Sequence, residues 1–151
     1  MENVSLCFYL NKKSYNKNEN IKLKIHQSIN KKNLINIEVL NKLIEIILNF
    51  NNIQVNQQIF KVTSFAKGCD WQDSFEFKMN DKYKSDIYFI KIYNDNEEYF
   101  NSFILKNKIG YSNILVLSNT FTWEAYNYWA GPLGQISLYR WEPNYYNNEV
   151  E

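Results

Sequence analysis

The stretch that decides the fold is FEFKMNDKYKSDIYFIKIYNDNEEYFNSFILKN, residues 75–107. Its first five residues alternate apolar and charged side chains, which is the two-residue period of a strand with one buried face. Two further apolar runs follow, IYFIKIYN and YFNSFILKN, and the polar turns NDKYKSD and NDNEE separate the runs. Short strands about ten residues apart predict a mainly β fold, an antiparallel sandwich of the immunoglobulin-like kind.

Upstream, the segment IKLKIHQS, residues 21–28, is a second clear strand. Its apolar residues alternate with Lys22, Lys24 and His26, so one face is predicted to be buried and the other to face water. His26, the only histidine of the chain, is therefore predicted to be an outward strand residue. With no second histidine and no CxxC or HExxH pair, the sequence argues against a zinc site of histidines and cysteines.

The segment from Leu34 to Phe50 is compatible with two structures. Its apolar residues fit one face of a helix, and they also fit two strands separated at Asn41 and Lys42. Because β-branched residues dominate the segment and strands flank it, two strands are predicted. Residues 4–10 and 53–62 are predicted to form further strands.

Composition and charge limit the function. A length of 151 residues corresponds to one domain, or to one domain and a fragment of another. The 17 basic and 16 acidic residues leave a net charge of +1, which gives no electrostatic reason to expect nucleic acid or an anionic membrane as a partner. The first residues lack the features of a secretory signal and no apolar run has transmembrane length, so a cytoplasmic location is expected. In that reducing compartment Cys7 and Cys69 are expected to remain thiols.

The stretch after the sandwich differs from everything upstream. Residues 108–110 are predicted to be a linker between a sandwich at 1–107 and a second segment at 108–151. The second segment contains NILVLSNTFTWEAYNYWAGPLGQISLYRW, residues 113–141, which holds many of the aromatic side chains. Its continuous apolar run Ile114–Leu117 suits a strand that is covered on both faces.

Two parts of the chain contain specific motifs: the stretch GCDWQDSFEFKMNDKYKSDIYFIKIYN, and further on the pair TWEAYNYWAG and ISLY. Both parts resemble the N,N-dimethylformamidase large (beta) subunit family. The stretch GCDWQDSFEFKMNDKYKSDIYFIKIYN is similar to that family's Gly/Trp turn, alternating strand and Ser-Gly-hydrophobic-Tyr opening of the next strand. The motifs TWEAYNYWAG and ISLY resemble its Thr-Trp-Gln-Ala-Tyr-Asn, Gly-Gly and Ser-Leu-Tyr signature. Asp86 stands where glycine is usual, a change that a turn with aspartate in the left-handed conformation accommodates. Glu124 replaces the usual glutamine, and Ala130 replaces one glycine of the pair.

The resemblance implies an amide hydrolase whose catalytic α/β domain begins at a strand at 113–118. It also implies a mononuclear iron centre with tyrosine and glutamate oxygens as ligands, although most of the 12 tyrosines must be packing or surface residues. No complete catalytic set is expected in this chain, and no cofactor for the chain alone. The resemblance assigns Tyr126 and Tyr139 as metal ligands. By its chemistry Glu124 is a candidate general base or an exposed carboxylate at a helix start. Trp123 and Trp129 are packing residues or pocket walls, and Asn127 is a pocket residue that either orients a neighbour or caps a turn.

Three functional hypotheses follow from these features. The first is an N-terminal fragment of a dimethylformamidase-like amide hydrolase, with residues 108–151 as the truncated start of the α/β domain, and inactive alone. The second is a stand-alone sandwich that binds a partner or a glycan through its aromatic residues. The third is a subunit that joins a separately encoded catalytic chain, or itself, through an exposed strand at 113–117.

Overall fold

The computed structural model describes residues 6–28, 34–60 and 68–107. Within these ranges the chain forms eight strands and no helix, which confirms the mainly β prediction. All eight strands belong to one compact unit of the chain. The strands are β1 Leu6–Leu10, β2 Ser14–Asn16, β3 Asn20–Gln27, β4 Leu34–Leu40, β5 Ile46–Gln54, β6 Phe75–Lys78, β7 Asp86–Tyr93 and β8 Glu98–Lys106.

The strands are arranged in two sheets, as predicted for a sandwich. The smaller sheet has three strands in the order β1-β3-β6, and the larger has five in the order β2-β8-β7-β4-β5. Neighbouring strands are antiparallel except for β2 and β8, which are parallel. The finer immunoglobulin-like class stays a prediction, and the predicted α/β segment at 108–151 lies outside the described residues.

The core is built from the alternating apolar residues of both sheets. On β3 the side chains of Ile21, Leu23 and Ile25 are fully buried, as their period predicts, and β7 buries Ile90 and Ile92 in the same way. Apolar side chains on one face of each sheet must cover each other to leave water, so this alternation drives the two sheets together.

Aromatic residues fill the centre of this core. The ring of Phe103 lies 5.7 Å from that of Tyr15, 6.4 Å from that of Phe77 and 5.8 Å from that of Tyr88. The hydroxyl of Tyr88 donates a hydrogen bond to the Lys84 carbonyl at 2.8 Å, which satisfies the polar end of a buried ring. A tyrosine near the start of a strand that binds backbone just upstream resembles the tyrosine corner of immunoglobulin-like sandwiches.

The ambiguous segment 34–50 forms two strands, and the helix alternative is wrong. β4 and β5 pair as an antiparallel hairpin, with Ile37 opposite Phe50. Asn41 organises the turn, since its Oδ1 accepts hydrogen bonds from the N–H groups of Leu43 and Glu45 at 2.9 and 3.0 Å. An asparagine that binds backbone two residues ahead favours a turn over a continuing helix.

The predicted strand at 53–62 is wrong in the described part. Ile53 and Gln54 are the end of β5, opposite Ile35 and Leu34, and residues 55–60 form no strand. Gln54 lies opposite Leu34, the first residue of β4, in the register of the hairpin.

Asp86 does not adopt the left-handed turn conformation that was expected for it. Gly68 has a φ of 78°, as expected for a glycine turn, but Asp86 is not among the positive-φ residues and begins the extended strand β7. The Asp86 carboxylate accepts a hydrogen bond from the Ile87 N–H at 2.9 Å and pairs with Lys42 at 2.9 Å. The hydrogen bond from Lys42 is the main cause that lowers the pKa of Asp86, and the hydrogen bond from the Ile87 N–H lowers this pKa further.

Two sequence expectations concern cysteines and membrane spans. Cys7 and Cys69 both lie in the described part and form no disulfide with each other, as expected. The described ranges contain no helix that could cross a bilayer.

Tyr15 is predicted to make the fold sensitive to alkaline pH. Burial is the main cause that raises the pKa of its phenol from 10.0 to about 12, while its hydroxyl donates to Asn11 Oδ1 at 2.7 Å. The folded state holds the phenol proton more tightly than the unfolded chain does. The contribution of Tyr15 to the free energy of unfolding is therefore fully present below pH 10 and is lost as the pH rises towards 12. We expect the free energy of unfolding, measured with denaturant, to fall from about pH 10 upwards.

The matched control is Tyr15→Phe, which keeps the ring and removes the titrating group. In this variant the free energy of unfolding should fall less steeply above about pH 10. A smaller fall should remain, because burial also raises the pKa of Tyr88. Equal slopes in the two proteins would contradict the assignment to Tyr15.

Candidate functional site

Side chains from β1, β3 and two loop segments form a cluster on the face of the three-stranded sheet that points away from the core. We call this group, Tyr9, His26, Gln58, Trp71 and Ser74, the Trp71 cluster. Trp71 is 3% exposed, and its ring lies 5.4 Å from that of Tyr9 and 5.6 Å from that of His26. Register explains the grouping, because Tyr9 is opposite Lys24 and therefore shares a sheet face with His26.

Hydrogen bonds join the chain segments on either side of residues 60–70. The Trp71 indole N–H donates to the Ile59 carbonyl at 3.0 Å, and the Trp71 backbone N–H donates to the Tyr9 hydroxyl at 3.2 Å. Gln58 binds the backbone of Gln72 twice: its side-chain amide donates to the carbonyl at 3.0 Å, and its oxygen accepts from the N–H at 3.2 Å. The cluster thereby holds residues 58–59 beside residues 71–72.

The prediction that His26 faces water is wrong. Its side chain does point away from the core, as the strand period requires, but it is only 2% exposed. Trp71 stacks on its ring, and its Nδ1 lies 3.1 Å from both the N and the O of Gln58. In one tautomer Nδ1 accepts from the N–H, and in the other it donates to the carbonyl. The two-residue period identifies the sheet face but contains no information about a loop that covers it.

Charged residues line the exposed side of the cluster. Asp73 pairs with Lys22 at 2.7 Å and with Lys24 at 3.3 Å, and Lys24 also donates to the Trp71 carbonyl. The hydrogen bond from Lys22 is the main cause that lowers the pKa of Asp73, and the same bond raises the pKa of Lys22. Because these groups are solvated, the pairs orient the loop and add little to stability.

The hydrogen bonds of the Trp71 cluster connect segments of the backbone. The Ser74 hydroxyl accepts from the Ile25 N–H at 3.0 Å and donates to the Ile25 carbonyl at 3.1 Å, so it replaces a ladder bond between strands. A nucleophilic serine would instead share its proton with a base such as His26. Across the described ranges, no group of three or more histidine, cysteine, aspartate or glutamate side chains is placed to hold a metal ion.

The site residues predicted from the sequence lie in another part of the chain. All six are outside the described residues, so their roles stay predictions. They are Trp123, Glu124, Tyr126, Asn127, Trp129 and Tyr139. Of the Trp71 cluster, the sequence singled out Trp71, through the Gly/Trp turn, and His26, as an outward strand residue. Gln58 and Ser74 carry no local signal, since both depend on segments brought together by the fold.

Comparison with protein families adds the deciding observation. Residues 49–150 match the family described as N,N-dimethylformamidase beta subunit-like, C-terminal, and the match covers more than half of the chain. The chain belongs to the N,N-dimethylformamidase beta subunit-like family. The predicted family resemblance is thereby confirmed. No curated protein and no solved structure matches the chain.

The match to the dimethylformamidase beta subunit-like family includes both parts of the chain. It begins within β5, contains β6, β7 and β8, and extends over Tyr126 and Tyr139. Gln58, Trp71 and Ser74 of the Trp71 cluster also lie within it, whereas Tyr9 and His26 precede it. The family description refers to the C-terminal part of such a subunit, and the predicted placement of this chain in the N-terminal part stays a prediction.

Proposed function

We propose that this chain is part of a dimethylformamidase-like large subunit that supplies two tyrosine ligands to an iron centre and is inactive alone. The observation that carries the proposal is the family match over residues 49–150, which spans Tyr126 and Tyr139. In the described ranges no cluster of acidic, histidine or cysteine side chains competes for the metal. We propose that the third, acidic ligand comes from a separate catalytic chain.

The proposed donor set fits iron on chemical grounds. Phenolate and carboxylate are hard oxygen donors that suit a highly charged ion. A phenol with an ordinary pKa of about 10 stays protonated at neutral pH unless a strong Lewis acid binds it. When bound, the iron would acidify a water molecule and polarise the amide carbonyl.

The residues of this chain then have separate tasks in amide hydrolysis. Water adds to the carbonyl carbon and the C–N bond breaks, which for N,N-dimethylformamide gives formate and dimethylamine. Glu124 is proposed to take a proton from the attacking water, and that proton leaves with the amine. Trp123, Asn127 and Trp129 are proposed to line the amide pocket, with the indoles excluding bulk water.

The ligand assignment is tested by titrating ferric nitrilotriacetate into the purified chain of 151 residues. Because the third ligand is missing, we expect weak binding that gives a visible tyrosinate-to-iron absorption band during the titration and leaves no iron on the desalted chain. We expect Tyr126→Phe and Tyr139→Phe each to weaken that binding by at least about tenfold. The control is Tyr93→Phe, since the Tyr93 hydroxyl donates to Glu38 in the sandwich at 3.0 Å. A band that persists in both test variants would overturn the assignment.

Inactivity of the chain alone needs its own measurement. We expect no release of dimethylamine from N,N-dimethylformamide beyond the uncatalysed rate, with or without added iron. Hydrolysis by the isolated chain, together with one equivalent of iron that is lost in Tyr126→Phe or Tyr139→Phe, would show that the site is complete.

A further inference from the structure

Within the described residues, β5 is an edge strand of the five-stranded sheet. Among the described strands, β5 pairs only with β4, and its nine residues IILNFNNIQ contain no charge and no proline. Natural proteins usually protect a long edge with charges, proline or shortening, because its free N–H and C=O groups pair readily with another strand. β5 has none of these three protections, although its pairing with β4 has two register shifts and Asn52, next to one of them, has a φ of 55°.

The other sheet edges in the described part differ from β5. β2 has three residues and lies beside Lys13 and Lys17, and β6 has four residues that include Glu76 and Lys78. β1 has five residues, little more than half the length of β5. Short or charged edges discourage pairing, so β5 is the edge that favours it.

The turn that leads into β5 presents aliphatic side chains to water. Leu43 is 69% exposed, Ile44 is 62% exposed, and Ile46 at the start of the strand is 55% exposed. Asn41 fixes this turn, and Ile44 has a φ of 64°, a conformation that is rare and costly for a β-branched residue. A rigid turn that holds adjacent aliphatic side chains in solvent is typical of a contact surface.

The two charged side chains of this turn already bind neighbouring groups within the molecule. The Glu45 carboxylate accepts from the Asn41 side chain at 2.7 Å, and Lys42 pairs with Asp86 at 2.9 Å. The net charge of +1 sets up little repulsion between two copies of the chain. An uncharged strand that meets its own copy also brings no like charges opposite each other.

We propose that β5 is a self-association edge, at which two copies of the chain pair antiparallel about a two-fold axis. The pairing of β5 with β4 shifts register at two places, and it is regular between them, across Leu48, Asn49 and Phe50. We place the two-fold axis at this regular part of β5. The two five-stranded sheets then become one continuous sheet. The Ile46 end of each strand lies beside the Gln54 end of the other, where Ile44 and Ile46 lose contact with water.

Sedimentation equilibrium of the full chain tests the proposal. We expect a monomer–dimer equilibrium, and we expect Ile44→Asp and Ile46→Lys each to raise the dissociation constant by at least about tenfold. Asp tolerates the left-handed conformation better than Ile, so Ile44→Asp should remain folded. The control is Ile59→Lys, because Ile59 is 79% exposed and lies outside β5.

Hydrogen exchange of the unmodified chain gives a second readout that needs no variant. Amides of residues 46–54 should exchange more slowly at high than at low protein concentration, while those of β8 should not change. A monomeric mass at concentrations up to about 0.5 mM would overturn the proposal, since it would exclude even weak pairing. A dimer that both β5 substitutions leave intact would assign association to another surface and overturn it equally.

Discussion

Replacing Phe103 with alanine is expected to lower the free energy of unfolding by about 3–5 kcal/mol. Phe103 is 1% exposed and comes from the five-stranded sheet, while Phe77, which it contacts edge to face, comes from the three-stranded sheet. Tyr15 and Tyr88 flank the same ring. Its removal leaves a cavity between the sheets that stiff neighbouring strands cannot collapse to fill.

This loss is large compared with the total stability of a small domain, which is about 5–15 kcal/mol. The measurement is denaturant unfolding followed by tryptophan fluorescence. Phe100→Ala is the matched control in the same strand, because Phe100 is 54% exposed and should cost no more than about 1 kcal/mol. If the two variants lost similar amounts, Phe103 would not be a central core residue.

The strand pattern could be predicted where burial follows the sequence period directly. In β3 and β6 the apolar side chains at every second residue enter the core, and nothing else is needed to place them. In residues 34–50 the same apolar residues fit a helix and two strands, and the decision rested on β-branched composition. Asn41 then supplies the physical reason for the break, through bonds to the backbone of its own turn.

The errors arise where a partner distant in sequence decides the outcome. The strand expected at 53–62 has the right composition, but of residues 53–60 only Ile53 and Gln54 are in a strand, opposite Ile35 and Leu34. His26 lies on the predicted face and is nevertheless buried, because Trp71 and Gln58 reach it from later segments. A single sequence contains the period of each strand but not the loop that will cover it.

The candidate iron site was predicted by resemblance, and residue chemistry alone supports it only weakly. Tyr126 and Tyr139 are two of 12 tyrosines, and no local pattern distinguishes a ligand from a packing residue. The family match supplies the reason to test these two first. By contrast, the β5 edge follows from strand order, which no local motif encodes.

Replacing Trp71 with alanine is expected to cost about 3–5 kcal/mol, as for other large buried aromatic side chains. The ring packs between Tyr9 and His26, and its N–H binds the Ile59 carbonyl, so the change removes both the packing and the bond between two segments. The loss should be local as well as global, because the core between the sheets does not contain Trp71.

Hydrogen exchange separates the local loss from the global one. The Gln58 N–H can donate to His26 and the Gln72 N–H donates to Gln58, so both amides should exchange faster in Trp71→Ala than the β7 amides do. Trp71→Phe is the control, since it keeps a ring against His26 and loses only the indole hydrogen bond, at a cost of about 1–2 kcal/mol. Uniform acceleration across β7 and both glutamine amides would mean that the Trp71 cluster unfolds only with the whole sandwich, and the cluster would then be part of the global folding unit.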